Sequence, residues 1–290
     1  MSLILKTPPE ISLDPAESTL VKTPKIVIVA GLPGVGKTRW IQEQLQSKNE
    51  TAVYLNLGQG VVPIDSIYLA AEISGLEILA EEQLNEFIFH LTQPDLIREP
   101  LYLELGFSID PASLVLPIDK NFCQRVAVVS SEVNPESSQS AWQDWADTIV
   151  PGTPHLGYNQ QPQISRSILT GQVIDGSSLE TFWYELVHGA YGDVQRAKGI
   201  FTPVDGRILH FDFVAGLPET IPIREASANA TELPLPPCIK GRPEQFSGIE
   251  LVGFNLDQAA IAQTLSDSCL DDQAIAHYQE QIQEQLTQIS

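Results

Sequence analysis

Basic residues are scarce in this chain. Its 290 residues carry 16 Lys and Arg against 37 Asp and Glu, a formal net charge of −21. A field of that sign repels phosphodiester backbones and anionic lipid headgroups, so nucleic acid and membrane surfaces are excluded as expected partners. A phosphate-bearing ligand must then be held locally, by backbone amides and a cation. Long apolar runs are missing too. None approaches the roughly 18 residues of a spanning helix, and the start, MSLILKTPPE, lacks the apolar core and cleavage site of a secretory leader. Cysteine is rare. Cys123, Cys238 and Cys269 are scattered and odd in number, which excludes a disulfide framework or a CxxC metal clip and predicts buried or free thiols in a reducing cytoplasm. Internal repeats are absent as well. What the chain does have is 43% hydrophobic residues, enough for real cores, and a length that predicts two domains.

The most informative stretch is residues 25–38, KIVIVAGLPGVGKT. A short apolar run, Lys25–Ala30, feeds directly into Gly31-x-x-x-x-Gly36-Lys37-Thr38, the phosphate-binding loop between a strand and a helix. The glycines let the backbone curl until successive N–H groups converge on phosphate oxygens. The following helix adds its positive dipole end. Gly31, Gly34, Val35 and Gly36 are therefore candidate cradle residues. Lys37 is the candidate for the β- and γ-phosphates, and Thr38 for the Mg²⁺ ion.

Residues 1–24 are polar and proline-bearing and read as an N-terminal arm. From residue 25 the pattern alternates. Strands are predicted at Lys25–Ala30, Thr51–Asn56, Leu101–Leu105, Arg125–Val129 and Asp147–Val150, and a helix at Thr38–Gln46. A second helix is predicted at Ala80–Leu91, with Leu84, Phe87, Ile88 and Leu91 at i, i+3, i+4, i+7. This alternation predicts an α/β domain over 25–152 with a mostly parallel sheet. Residues 153–178 are rich in Pro, Gly, Gln and Ser and are predicted as a linker. A smaller α+β unit follows over 179–270. It has a helix at Ser178–His188 and strands at Val194–Thr202 and Arg207–Ala215 around the Val204-Asp205-Gly206 turn. A strand at Ile249–Phe254 and a helix at Leu256–Cys269 complete it. The tail, 271–290, places Ile275, Tyr278, Ile282 and Leu286 at helical spacing. It reads as a docking helix, with a partner-binding or coiled-coil helix as the alternative.

Two regions together resemble a known family. Gln195-Arg196-Ala197-Lys198-Gly199-Ile200-Phe201, then Ile249-Glu250-Leu251-Val252-Gly253-Phe254-Asn255-Leu256-Asp257 and a helix to Cys269, resemble the C-terminal domain of the CobW family. With the upstream phosphate loop, residues 25–270 resemble the CobW-like branch of the metallochaperone GTPases. The resemblance implies GTP, Mg²⁺, hydrolysis of the β–γ phosphoanhydride, a cytoplasmic setting, metal delivery, and a client protein engaged through the C-terminal domain or tail. It also implies that Glu104, in Leu101-Tyr102-Leu103-Glu104-Leu105-Gly106-Phe107-Ser108-Ile109-Asp110-Pro111, holds a Mg²⁺-bound water. A backbone N–H near Gly106–Phe107 would meet the γ-phosphate.

The departures are equally specific. The family's first switch, Asn-Glu-Phe-Gly-Glu leading to an Asp, appears as Asn56-Leu57-Gly58-Gln59-Gly60 and then Asp65, without either glutamate. The Cys-x-Cys-Cys metal motif is missing, since no cysteine precedes Cys123. Pro151-Gly152-Thr153-Pro154 stands where the guanine-reading Asn-Lys-x-Asp belongs, so the residues themselves leave GTP and ATP open. Hence a second function is kept: a degenerate nucleotide-domain scaffold with weak or no hydrolysis and no metal delivery. Glu82, Glu86 and His90 lie at i, i+4, i+8 near where the thiol motif would fall. They are the candidate transition-metal face, the plainer reading being a solvated helix side. His210 and Asp212 share a strand face, and Asp271-Asp272 reads as an acidic helix start.

Overall fold

The computed structural model describes residues 26–48, 51–85, 99–106, 108–114, 122–131, 142, 144–154, 161–217 and 230–289. The predicted arm, and Glu86 and His90 of the candidate metal face, lie outside the described residues. The chain divides into two compact units: Met1–Gly60 with Ile73–Gly157, and Val61–Glu72 with Tyr158–Ser290.

In the first unit, the described strands are β1 (Ile26–Ala30), β2 (Ala52–Leu57), β3 (Leu76–Ile78), β4 (Leu101–Leu105), β5 (Cys123–Val129) and β6 (Thr148–Pro151). They form one sheet in the order β3-β2-β4-β1-β5-β6. Every pairing in it is parallel. Strands covered on both faces need continuous apolar runs, and β1, β2 and β4 are buried along their whole length. Helix α1 (Lys37–Lys48) follows β1 and buries Ile41 and Leu45. This is the predicted α/β class, with the glycine-rich loop at the end of a central strand.

The second unit holds β7 (Gln163–Ile168), β8 (Asp193–Phe201), β9 (Leu209–Val214), β10 (Ala230–Glu232) and β11 (Gly248–Phe254). Its sheet runs β10-β9-β8-β11-β7 and is antiparallel throughout. Helices α3 (Gly176–Val187), α4 (Gln258–Asp267) and α5 (Asp272–Ile289) come from the same unit. Leu179, Phe182, Trp183 and Leu186 recur at i, i+3, i+4, i+7 and carry the buried side of α3. They pack with Phe201 and Phe211 of the sheet and Ile261 and Leu265 of α4. Asp175 caps α3 by accepting from the Ser178 N–H at 2.8 Å. Asp271 likewise accepts from the Ala274 N–H at 2.8 Å, the acidic helix start expected there. Helix α5 is seated by polar contacts as much as by its stripe. Ile275 is buried but Tyr278 is exposed, and Gln279 bonds both ways with the Gly241 backbone, at 2.7 and 2.9 Å.

Two elements differ from expectation. Part of the predicted linker is strand β7, paired in register with β11 from Gly248↔Ile168 to Gly253↔Gln163. As the sheet's edge it has one neighbour, so its apolar content is low and gave no periodic signal. Helix α2 (Ile64–Glu72) was not predicted. Though it follows β2 in sequence, it packs in the second unit, where Ile64 joins Val62, Ile200, Ile208 and Leu233 in a small core. The helix predicted at Ala80–Leu91 is described only at its start, a 3₁₀ turn at Glu81–Gln83.

Candidate phosphate-binding site

In parallel sheets, ligands gather beyond the carboxyl ends of strands where chain direction switches sides. Here β1 lies between β4 and β5. The loop leaving β1 is Gly31–Gly36. Gly34 and Gly36 have φ of 82° and 91°, in the left-handed region that side chains avoid. Helix α1 starts directly from this loop and has no acidic residue in its first turn, which leaves its positive end available to an anion. The Lys37 ammonium donates to the carbonyls of Gly31 at 3.2 Å and Leu32 at 3.4 Å. It therefore lies folded over the loop.

Glu104 pairs in register with Val29 of β1 and with Asn56 of β2, which sets its carboxylate beside the loop. That side chain is buried. Burying a charge is costly unless its lone pairs are satisfied. The Thr38 hydroxyl donates to Glu104 Oε1 at 3.2 Å, and the Tyr54 hydroxyl to Oε2 at 2.9 Å. Of the candidate residues, Lys37 and Thr38 thus open α1 directly after the loop, and Thr38 meets Glu104. Sequence reading missed Tyr54, because a tyrosine in a buried strand looks like core.

Gly106 is tied into the sheet: its N–H donates to the Leu57 carbonyl at 2.7 Å and joins the ends of β2 and β4. Phe107 lies outside the described residues. Asp110 is engaged locally: its side chain accepts from the Ala112 N–H at 3.0 Å and caps a 3₁₀ turn at Pro111–Ser113. Asp65, matched to the switch aspartate, stands on α2 and is ion-paired with Lys198 of β8 in the second unit. The switch-like loop has a different carboxylate on it. Glu81 Oε1 accepts from the Gly58 N–H at 2.7 Å and the Gly60 N–H at 3.4 Å.

The turn after β6 packs on the phosphate loop. The Gly152 N–H donates to Val129 O at 2.6 Å, and the Thr153 N–H to Val35 O at 3.0 Å. The Thr153 hydroxyl donates to Gly34 O. A Cβ on Gly152 would stand 2.1 Å from Val35 O, so only glycine permits this approach.

Among the described residues, no group of three or more His, Cys, Asp and Glu is placed to hold a metal ion. Burial pushes the Cys123 thiol up to about 11 and raises Cys269 as well, so neither is a thiolate at neutral pH. His210 stacks on Tyr68 of α2 with ring centroids 4.6 Å apart. Burial pushes its imidazole below the ordinary value, against the upward pull of Asp212 and Asp65. Among the described residues, no helix is long and apolar enough to cross a membrane.

No family model matches the chain, and no curated protein matches it. Among solved structures, the chain is similar to the Zn(II)-bound YjiA GTPase from E. coli. Identity is 12%, 85% of this chain and 99% of that one are covered, and the TM-score is 0.28. A Zn(II)-bound triple mutant of YjiA GTPase matches at 13% identity, with the same coverage and a TM-score of 0.28. A likeness this loose carries neither fold nor function; the α/β assignment rests on strand order, strand direction and the loop after β1.

Proposed function

We propose that this chain binds a Mg²⁺–nucleoside triphosphate in the loop after β1 and hydrolyses it slowly. The observation that supports this best is the meeting of three parts: the Gly31–Gly36 curl, the Thr38 hydroxyl, and the buried Glu104 carboxylate to which it donates at 3.2 Å. These residue types fit the group, since an oxygen-seeking cation takes a hydroxyl and a carboxylate and a triphosphate takes loop amides and an ammonium. Thr38 and Glu104 would hold the Mg²⁺, Glu104 through a water. The ion would supply neutralisation of charge on the β- and γ-phosphates. Lys37 would leave the Gly31 and Leu32 carbonyls for the phosphates, and the Gly34–Thr38 amides would fix them. Tyr54 would keep Glu104 from turning. Residues 56–60 lack both switch glutamates of the family, which is why the proposed hydrolysis is slow. GTP, metal handling and a client protein rest on the resemblance alone.

A second reading has its own support. Asp65 is held in an ion pair by Lys198, and Pro151-Gly152-Thr153-Pro154, which has no carboxylate, stands where the base-reading motif belongs. Both favour a scaffold in which the loop survives but turnover does not.

Calorimetric titration with GTP, ATP and GDP, with and without Mg²⁺, separates the two. A site that lacks groups for the base edge discriminates weakly. GTP and ATP are expected to differ by less than about a hundredfold, on the order of 2.7 kcal/mol. No binding of either triphosphate would leave the scaffold reading. Tyr54→Phe tests the carboxylate support. Losing one donor to a buried carboxylate costs about 1 kcal/mol. The expected result is a severalfold rise in the Mg²⁺ concentration needed for half-maximal triphosphate binding; unchanged Mg²⁺ dependence would remove Tyr54 from the site.

A further inference from the structure

We propose that Thr153 is the positioning residue that holds the phosphate loop open for its ligand, an inference that rests on the nucleotide reading above. The loop's carbonyls divide between two donors. Gly31 O and Leu32 O accept from Lys37, a side chain that must leave them when phosphate arrives. Gly34 O and Val35 O accept from Thr153, through its hydroxyl and its N–H respectively. These bonds come from outside the loop and survive ligand entry. A trans peptide sets its C=O and the following N–H in opposite directions. Clamping Gly34 O outward therefore turns the Val35 N–H inward, and clamping Val35 O does the same for Gly36. The Val35 N–H meets Leu32 O only at 3.4 Å, a long contact that a phosphate oxygen can replace.

Two further features make the clamp a built one. Gly152 admits no side chain against Val35 O, and its own N–H ties the turn to Val129 of β5 at 2.6 Å. The turn is thus anchored to the sheet on one side and to the loop on the other. Holding both peptides before binding lowers the ordering cost of the ligand complex. The segment that would elsewhere read a base here orients the phosphate cradle.

Thr153→Val keeps the side-chain shape and deletes the hydroxyl; Thr153→Ser keeps the hydroxyl. Two measurements are made on the full chain: titration with Mg²⁺–GTP and Mg²⁺–ATP, and residue-resolved amide exchange without ligand. Thr153→Val is expected to weaken both triphosphates by the same factor, up to about tenfold. It should also speed exchange at Val35, whose peptide loses the hydroxyl clamp on Gly34 O, while Gly36, still held through the backbone N–H on Val35 O, and global unfolding stay near wild type. Thr153→Ser should restore both. Equal factors matter, because a base contact would penalise one nucleotide more than the other, and that result would overturn the clamp. Unchanged affinity in Thr153→Val, where wild type binds, would also overturn it, as would unchanged exchange at Val35. If wild type binds neither triphosphate, the nucleotide reading falls and the exchange data alone decide: faster exchange in Thr153→Val upholds the clamp on the loop, and no change removes it.

Discussion

Lys37→Ala is expected to abolish triphosphate binding while the fold survives. The chain's net charge is −21, so its mean field opposes an incoming polyanion and attraction must be local. At the loop, Lys37 is the side chain that supplies positive charge. Its ammonium lies over the Gly31 and Leu32 carbonyls at 3.2 and 3.4 Å. Its replacement loses charge-assisted bonds to phosphate worth about 1.5–3 kcal/mol each. Two such bonds amount to two or more orders of magnitude in Kd. The cost to folding is smaller. Two neutral loop carbonyls lose a donor in a partly buried place, and α1 keeps Ile41 and Leu45 in the core. Isothermal titration with Mg²⁺–GTP and Mg²⁺–ATP, alongside a thermal melt of each protein, checks the claim. Equal affinity in wild type and Lys37→Ala would sink the nucleotide reading. Lys37→Met, which preserves the buried stem, guards against reading a packing defect as a charge effect.

What could be seen in the sequence follows the range of the interactions. The candidate phosphate loop was legible because its parts are contiguous: strand, glycines, Lys37 and Thr38 are neighbours in the chain. The central strands were legible because a parallel strand buried on both faces must be apolar along its length. Edge strands carry less of that signal, so β7, with Gln163, Ser165, Arg166 and Ser167 among its residues, passed for linker. Helix α2 carries a stripe at Ile64, Ile67, Tyr68 and Ala71, but a short helix gives few turns to weigh. The contacts that complete the site are long-range. Tyr54 reaches Glu104 across 50 residues, and Thr153 reaches Gly34 across 119. Both depend on strand order, β2 beside β4 and β6 outside β5, and no spacing in the sequence encodes that order. The Gly106 bond was hidden for a related reason. A glycine after a strand carboxylate suits a ligand approach and a tight strand-end bond equally well, and the bond to the Leu57 carbonyl at 2.7 Å is again made between strands.

The ion pair made by Asp65, the residue matched to the switch aspartate, carries the second large effect. Asp65 of α2 and Lys198 of β8 are paired with side chains 14% and 9% exposed. Covered charges of this kind contribute little net stability when intact, but breaking one strands its partner in a poorly solvated place. Asp65→Asn keeps the shape and removes the charge. It is expected to cost about 3 kcal/mol in the second unit, with faster amide exchange along α2 and β8. The Asp65 charge also pulls the buried His210 imidazole upward, so its loss should drive that group further below its ordinary range. An imidazole held below its unfolded value takes up a proton more readily in the unfolded chain. Stability therefore falls as pH drops through about 6.5, and the variant should fail earlier in acid than wild type. Replacing both partners with apolar residues, Asp65→Leu with Lys198→Met, should recover most of the loss. The stranded charge is then gone, and the site adjoins the Ile64, Ile200 and Ile208 cluster. Chemical denaturation followed by amide exchange measures all three variants. A cost below about 1 kcal/mol for Asp65→Asn, the level of an exposed pair, would mean that α2 is held by its apolar side alone.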